Sequence, residues 1–437
     1  MRMLHQAVGS FFMILTALLG AGAQTAASQV KSWAQTDSLA ASDGAKNDEL
    51  GYSIAISGNV IVVGAPYASI HGRESQGAAY VFVKDGEAGH FKQVAKLTAS
   101  DGAINYTLGS AVAISDGTIV VGADSTNLGR KQYAGAAYVY CKPKAGWSDM
   151  TEAAKLTAGD AASQAYFGSS IAISGDTVVV GADGADIGAN RFQGAAYVFV
   201  KPSSGWKSMT QTAKLTASDG AGKDQLGYSA AMSGDTIVVG ARAAAVSGHA
   251  RQGAVYVFQK PGSGWKDGSQ TAKLTVPNES AASLLGSSVS VDADAVLAGA
   301  PGSGNAYMFA KGSDSWVNMN APTAKLTAAD RPAGDQFGYS VSIHGEIAAV
   351  GAKFSEIDGH SQQGAVYVFS KGTNGWDSAT QVGKLVADDG GPRGWLGASI
   401  NTDGKRIVAG APGTAMGPQL YRGKVYAFQV KPEHKDQ

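Results

Sequence analysis

Cysteine is all but missing. A single Cys141 among 437 residues excludes an internal disulfide framework and any cysteine-rich zinc site. Charge is scarce, at 16% of residues, and balanced, with 35 Lys+Arg against 35 Asp+Glu. A chain of zero formal net charge lacks the broad basic surface that nucleic acid or an anionic membrane attracts, so neither partner is expected. Proline is sparse, with 12 residues, which excludes collagen, and no window holds a sustained helical period. Past the N-terminus no segment is apolar enough to cross a bilayer. Glycine, by contrast, is abundant: 59 residues spread along the whole chain, beside 44% apolar residues that argue against wholesale disorder.

The first residues have the three-part layout of a secretory signal peptide. Arg2 supplies a cationic start, an apolar stretch is centred on residues 11–19, and Ala21-Gly22-Ala23 is a small-residue cleavage site. The expected organisation is a signal peptide over 1–23 and one domain over 24–437, exported, without a membrane span after cleavage, and monomeric. Export without disulfides points to a bacterial envelope or extracellular protein held together by packing.

One phrase recurs seven times: Leu-Gly or Phe-Gly, an alternating stretch, then an apolar run ending in Gly-Ala. The copies begin at Leu50, Leu108, Phe167, Leu226, Leu285, Phe337 and Leu396, and their glycines are 58, 59, 59, 59, 52 and 59 residues apart. Each is followed by an aromatic phrase such as Tyr80-Val81-Phe82 and by a Trp-to-Lys-Leu-Thr stretch such as Trp147 to Thr157. Tyr52 to Ser57 alternates as a strand with two different faces does. Val60 to Val63 is β-branched throughout, as a strand buried on both faces is. Ser-Gly-Asn between them is a hairpin signal. With Ala79 to Val83 and the Trp-to-Thr stretch, each unit carries four strands. Seven such units fit an all-β, seven-bladed β-propeller of four-stranded blades better than an open solenoid, whose rungs are shorter. The last unit stops before its outer strand, while the segment after residue 31 supplies a spare one, Ser32-Trp33 to Leu39. That N-terminal strand is expected to complete the last blade and close the ring.

These residues resemble the FG-GAP repeat, complete at Leu50-Gly51 with Gly64-Ala65-Pro66, at Leu285-Gly286 with Gly299-Ala300-Pro301, and at Leu396-Gly397 with Gly410-Ala411-Pro412. The resemblance is to the bacterial secreted form and to the propeller of integrin α subunits. It implies a seven-bladed propeller, and in many units of the family a Ca²⁺ ion in the first hairpin turn. Calcium needs six to eight oxygens. The turns here carry mostly one carboxylate or none, with Asp292 and Asp294 the only pair. No cofactor and no metal is therefore expected.

Asp43, Asp101 and Asp219, with Asp160, Asp330 and Asp389 in register, form a possible ring of carboxylates. Turn chemistry, with backbone N–H donors to the side chain, explains them more simply. Acids just before the Leu-Gly, such as Asp224 and Asp335, read the same way. Trp147, Trp206, Trp265, Trp316 and Trp376 recur at one structural position, as packing residues do, and Phe91 stands in for them in the first unit. The variable loops after Gly-Ala offer the candidate ligand-binding residues His71, Arg73, Arg130, Arg191, His249, Arg251, His360 and Arg422. The fifth unit is short after Ala300, which would leave a notch flanked by His249, Arg251 and His360. No unit carries a nucleophile with a base or any extra domain, so no catalytic residue is assigned. The expected function is non-catalytic binding or adhesion to an extracellular protein or glycan. The alternative is a propeller hydrolase or lyase acting in the central funnel.

Overall fold

A computed structural model describes residues 32–86, 89–277, 279–312, 315–328, 330–417 and 420–431. The expected signal peptide lies outside them. The described residues form strands and no helix, arranged in seven sheets that are the blades of a β-propeller. In the first blade Ser53–Ser57, Val60–Ala65, Ala78–Lys84 and Phe91–Thr98 run from the channel outward. The ring closes as the sequence predicts. Trp33–Leu39 pairs antiparallel with Lys424–Val430, Trp33 opposite Val430 and Leu39 opposite Val425.

Seven hydrophobic clusters lie between neighbouring blades. They explain the uniformly apolar second strands. Val60 and Val62 join the cluster with the second blade, while Ile61, Val63 and Ala65 join the cluster with Val408 and Val425 of the last. Strand alternation thus feeds one residue set to each neighbour.

The two glycines of the repeated phrase meet across every junction. A Cβ on Gly64 would lie 2.1 Å from the Gly109 carbonyl oxygen, one on Gly122 2.1 Å from Gly168, and one on Gly410 2.0 Å from Gly51. Serine hydroxyls add a second tie. Ser53 donates to Gly109 O at 2.8 Å, Ser229 to Gly286 O at 2.8 Å, Ser340 to Gly397 O at 2.7 Å, and Ser399 to Gly51 O at 2.6 Å.

The outer edge departs from the four-strand expectation. In the second to fifth blades the fourth strand is only the Ala-Lys-Leu portion, as in Ala154–Thr157 and Ala213–Thr216. The residues before it cross to the preceding blade. Met150–Thr151 pairs parallel with the outer strand of the first blade, Met209–Thr210 with that of the second and Gly268–Ser269 with that of the third, giving those three sheets a fifth strand. Trp147, Trp265 and Trp316 are buried between blades on the way, so these three pack as expected, though off the fourth strand, while Trp376 is buried on the fourth strand of the sixth blade, Gly375–Leu385.

Candidate functional site

The first strands of all seven blades line a central channel of about 1110 Å³. The Leu/Phe-Gly starts, the Gly-Ala ends and the long loops share one face, as Leu108 N–H to Gln76 O and Thr107 N–H to Ser75 O attest. The channel mouth on this face breaks the repeat. The residue after Gly-Ala is Pro66, Asp124, Asp183, Arg242, Pro301, Lys353 and Pro412 in turn. All but Pro66 line the channel, together with Glu49, Tyr52, Tyr166, Tyr228, Tyr339 and Trp395. Carboxylates thus occupy the first three units and cations the fourth and sixth.

Each cation is held against a ring. The Arg242 guanidinium lies 3.5 Å from the Tyr228 ring centre, and its Nε donates to Gln225 Oε1 at 3.0 Å. Lys353 Nζ lies 3.4 Å from Tyr339 and 4.9 Å from Phe354. Such stacking is stronger where water is excluded. Burial pushes the Glu49 carboxyl up to about 7 against the opposing charge of Lys353. Burial pulls the Lys353 amine down to about 8 against the charge of Glu49. Asp183 is pushed up to about 6, again by burial, opposed by a bond from Ser169 and the charge of Arg242. Asp124 rises for the same reason, although its carboxylate accepts Thr107 Oγ1–H at 2.7 Å.

The backbone at the mouth is strained. Glu49, Thr107, Tyr166, Gln225, Leu284, Gln336 and Trp395, each just before a Leu-Gly or Phe-Gly, have φ between 52° and 61°. Non-glycine residues hold this left-handed conformation only where surrounding bonds over-determine it. Here Tyr166 N–H donates to Tyr133 O at 3.1 Å and Gln225 N–H to Phe192 O at 3.2 Å.

The eight loop residues singled out in the sequence are dispersed around this face rather than gathered. His71, with φ 52°, stands at the tip of a small hairpin closed by Ile70 and Arg73. Arg73 Nη1 donates to Gly102 O at 3.2 Å. Arg130 and His249 are exposed. Arg191 lies 5.2 Å from the Phe192 ring, and His360 Nδ1 is 3.0 Å from Gln363 Oε1. Arg422 takes the position that buried Gln76, Gln193, Gln252 and Gln363 hold elsewhere, and donates to Ala41 O at 2.9 Å. Arg251 lines a side groove between the third and fourth units. The short turn of the fifth unit is covered by Arg331, whose Nη1 lies 2.6 Å from where a Gly304 Cβ would be and 3.1 Å from Asp335. That space is therefore partly filled.

The sequence reading missed Asp124, Asp183, Arg242 and Lys353. Their signal was available: one aligned position, directly after Gly-Ala, that alone alternates between proline and both signs of charge.

The ring of Asp residues is structural, with donors other than those expected. Asp43 accepts Tyr80 Oη–H at 3.0 Å and Lys96 Nζ–H at 2.7 Å. Asp101 does the same with Tyr138 and Lys155 at 2.8 and 2.5 Å, and Asp219 with Tyr256 and Lys273 at 3.1 and 2.5 Å. In the last blade Asp389 takes Tyr426 at 2.8 Å and Lys424 at 2.5 Å. Burial alone would raise the carboxyls of Asp43, Asp160, Asp219 and Asp389, but the bonds and charge of the lysines and the tyrosine bonds outweigh it and hold all four below the usual carboxylate range. A depressed folded-state value stabilises the protein above the unfolded value and is lost as pH falls through the folded one. The expected result is a melting temperature that declines below about pH 4, with a shallower decline in the Asp43→Asn, Asp219→Asn double variant. Thermal melts between pH 6 and 2 check this; an identical slope for both proteins would contradict it.

Acids in the turns also have partners. Asp224 Oδ2 accepts Ala221 N–H at 2.8 Å, and Asp335 Oδ1 accepts Phe337 N–H at 3.0 Å. Asp292 Oδ2 accepts Gly345 N–H of the next blade at 2.6 Å, and Asp294 pairs with Lys311 at 2.7 Å.

With the ring and its mouth in view, the protein class is a seven-bladed β-propeller with a charged, aromatic channel mouth. The FG-GAP repeat pattern matches residues 33–82, 91–140, 150–199, 209–258 and 321–369, more than half of the chain. The chain belongs to the FG-GAP repeat family. The units starting at Leu285 and Leu396 fall outside those matches and still form complete blades. No curated protein matches the chain in sequence. Among solved structures, a chain of the "Crystal Structure of Mitotic Checkpoint Complex" is similar over 98% of this chain and 100% of its own, with 12% identity and a TM-score of 0.52. At that identity the likeness is one of fold alone. FG-GAP propellers suit binding or adhesion and are typically non-catalytic. No helix among the described residues is long and apolar enough to cross a membrane.

Proposed function

We propose that this chain is an exported, monomeric binding protein that recognises an extracellular protein or glycan through the channel-mouth face, without a metal or other cofactor. One observation carries the reading. At seven equivalent positions after Gly-Ala the scaffold tolerates proline, yet four hold Asp124, Asp183, Arg242 and Lys353. Packing needs no charge there, and charges drawn out of water on a concave, aromatic surface are costly to keep even where neighbouring side chains partner them, a cost that fits a surface kept for a ligand. The rigid ring holds them ready before the ligand arrives, which reduces the ordering cost of association.

The test is a binding screen of extracellular proteins and glycans with the mature chain, followed by Arg242→Gln and Lys353→Gln. Binding is expected to weaken about tenfold in each variant, with little change in melting temperature and no effect of a chelator. Unchanged affinity in both would reject the mouth as the site.

The proximity of Glu49 and Lys353 to neutrality favours one second reading, acid–base catalysis in the funnel by a hydrolase or lyase. Bound glycan or peptide that is recovered intact after prolonged incubation would exclude it.

A further inference from the structure

A groove of about 660 Å³ leaves the channel mouth between the third and fourth units. Tyr166, Asp183 and Arg242 line both cavities, so groove and mouth are continuous. The groove adds Lys223, Arg251 and Phe192. Small residues, Ala221, Ala243, Ala245 and Ala250, make up much of the rest of its lining.

Cations outnumber carboxylates along it. Lys223, Arg242 and Arg251 supply three cations. Against them stand two carboxylates, Asp224, which is buried and accepts the Ala221 N–H, and Asp183, which faces Arg242, so the balance is cationic and the exposed charges are Lys223 and Arg251. Two of the cations stand on strained backbone. Lys223 has φ 72° and Arg251 φ 56°, and both are held by cross-loop bonds, Lys223 N–H to Arg191 O at 2.8 Å and Leu284 N–H to Arg251 O at 3.2 Å. Their Cα positions are thereby fixed relative to the groove, while the side chains remain exposed.

We infer that this groove binds a strand of an acidic polysaccharide, its sugar rings against Phe192 and Tyr166 and its anionic groups against Lys223, Arg242 and Arg251. The inference rests on the reading of this face as a ligand-binding surface. Aromatic faces suit the apolar C–H side of a pyranose, and flanking cations suit a carboxylate or sulfate at each residue of the chain. A peptide fits less well. The groove's largely exposed alanines form no apolar socket to anchor a side chain. The loop N–H groups that a strand would need are already used, Gln225 on Phe192 O and Leu226 on Gln193 O at 3.2 and 2.9 Å.

Titration of the full mature chain with polygalacturonate, its methyl ester, dextran sulfate and dextran tests the inference. Polygalacturonate or dextran sulfate is expected to bind, and whichever is tighter identifies carboxylate or sulfate as the source of the anion. The ester and dextran are expected to bind about tenfold more weakly or not at all. Lys223→Gln with Arg251→Gln should weaken the anionic ligand about tenfold. Lys144→Gln with Lys266→Gln, which removes two exposed lysines at the opposite face, should leave binding unchanged. Equal losses in the two double variants would mean diffuse attraction and overturn the groove. Absence of binding to both anionic polymers would also overturn it. If the ligand then found is a neutral glycan or a peptide that Arg242→Gln weakens, the mouth stands and only the ligand class falls. If neither Arg242→Gln nor Lys353→Gln alters any binding, the functional face itself is wrong.

Discussion

Deletion of residues 24–40 is expected to produce a protein that aggregates, or that melts roughly 10 °C below the same chain with those residues kept. Trp33–Leu39 covers the outer edge of Lys424–Val430 along its length, and Leu39 and Ala41 are buried in the seam with the first blade. The strand also joins its neighbours. Asp37 Oδ1 accepts Phe91 N–H at 3.1 Å and lies 2.9 Å from His90 Nδ1, and Gln35 Oε1 accepts Asp388 N–H at 3.1 Å. Loss of the apolar burial, the ladder and these side-chain bonds amounts to about 5 kcal/mol, a large part of the stability of an ordinary domain. An open edge strand is also a template for pairing with another copy. Light scattering and calorimetry check the result, and a synthetic peptide of residues 32–42 should partly restore the melt. A truncated chain as stable as the original would refute the non-covalent closure.

The second large effect is expected from Gly410→Ala. A Cβ there would lie 2.0 Å from the Gly51 carbonyl oxygen, which is backbone and cannot swing aside. Gly51 has φ +93° and is itself wedged against the Lys424 carbonyl, 2.7 Å from where its own Cβ would be. The clash therefore forces the first and last blades apart and opens the cluster that includes Val63, Val408 and Val425. A loss of about 3 kcal/mol or more is expected by calorimetry or denaturant titration. Gly262→Ala is the control, because nothing lies within 4 Å of its added Cβ; it should change stability by less than about 0.5 kcal/mol. Equal effects of the two substitutions would show that the glycines matter for backbone freedom rather than for close approach.

These two cases mark what was legible in the sequence. Repetition revealed the ring, and the spare segment before Leu39 revealed its closure, because both are patterns along one line of text. The meeting of Gly64 with Gly109 was not legible. It pairs the end of one unit with the start of the next, and periodicity cannot distinguish a contact within a unit from one between units. The same holds for Met150–Thr151, which belongs to the second repeat but pairs in the first blade. Register placed the Asp43-like carboxylates correctly at one level of the ring. Their phenol and ammonium partners, 37 and 53 residues away in the case of Asp43, needed the structure. The mouth was hidden by its own motif. Gly-Ala-Pro reads as a unit, so the departures Asp124, Asp183, Arg242 and Lys353 looked like motif decay, and the more variable outer loops drew the functional assignment instead.

The closing pair has a mechanical consequence. Trp33 lies opposite Val430, and Lys431 N–H donates to Ser32 O at 2.7 Å. The chain therefore enters and leaves the ring side by side, at the face away from the channel mouth. A load applied through both ends would peel the seam one hydrogen bond at a time, rather than shear all of them together. A tether at either end would hold the opposite face toward the surrounding medium, with the mouth and its groove presented outward.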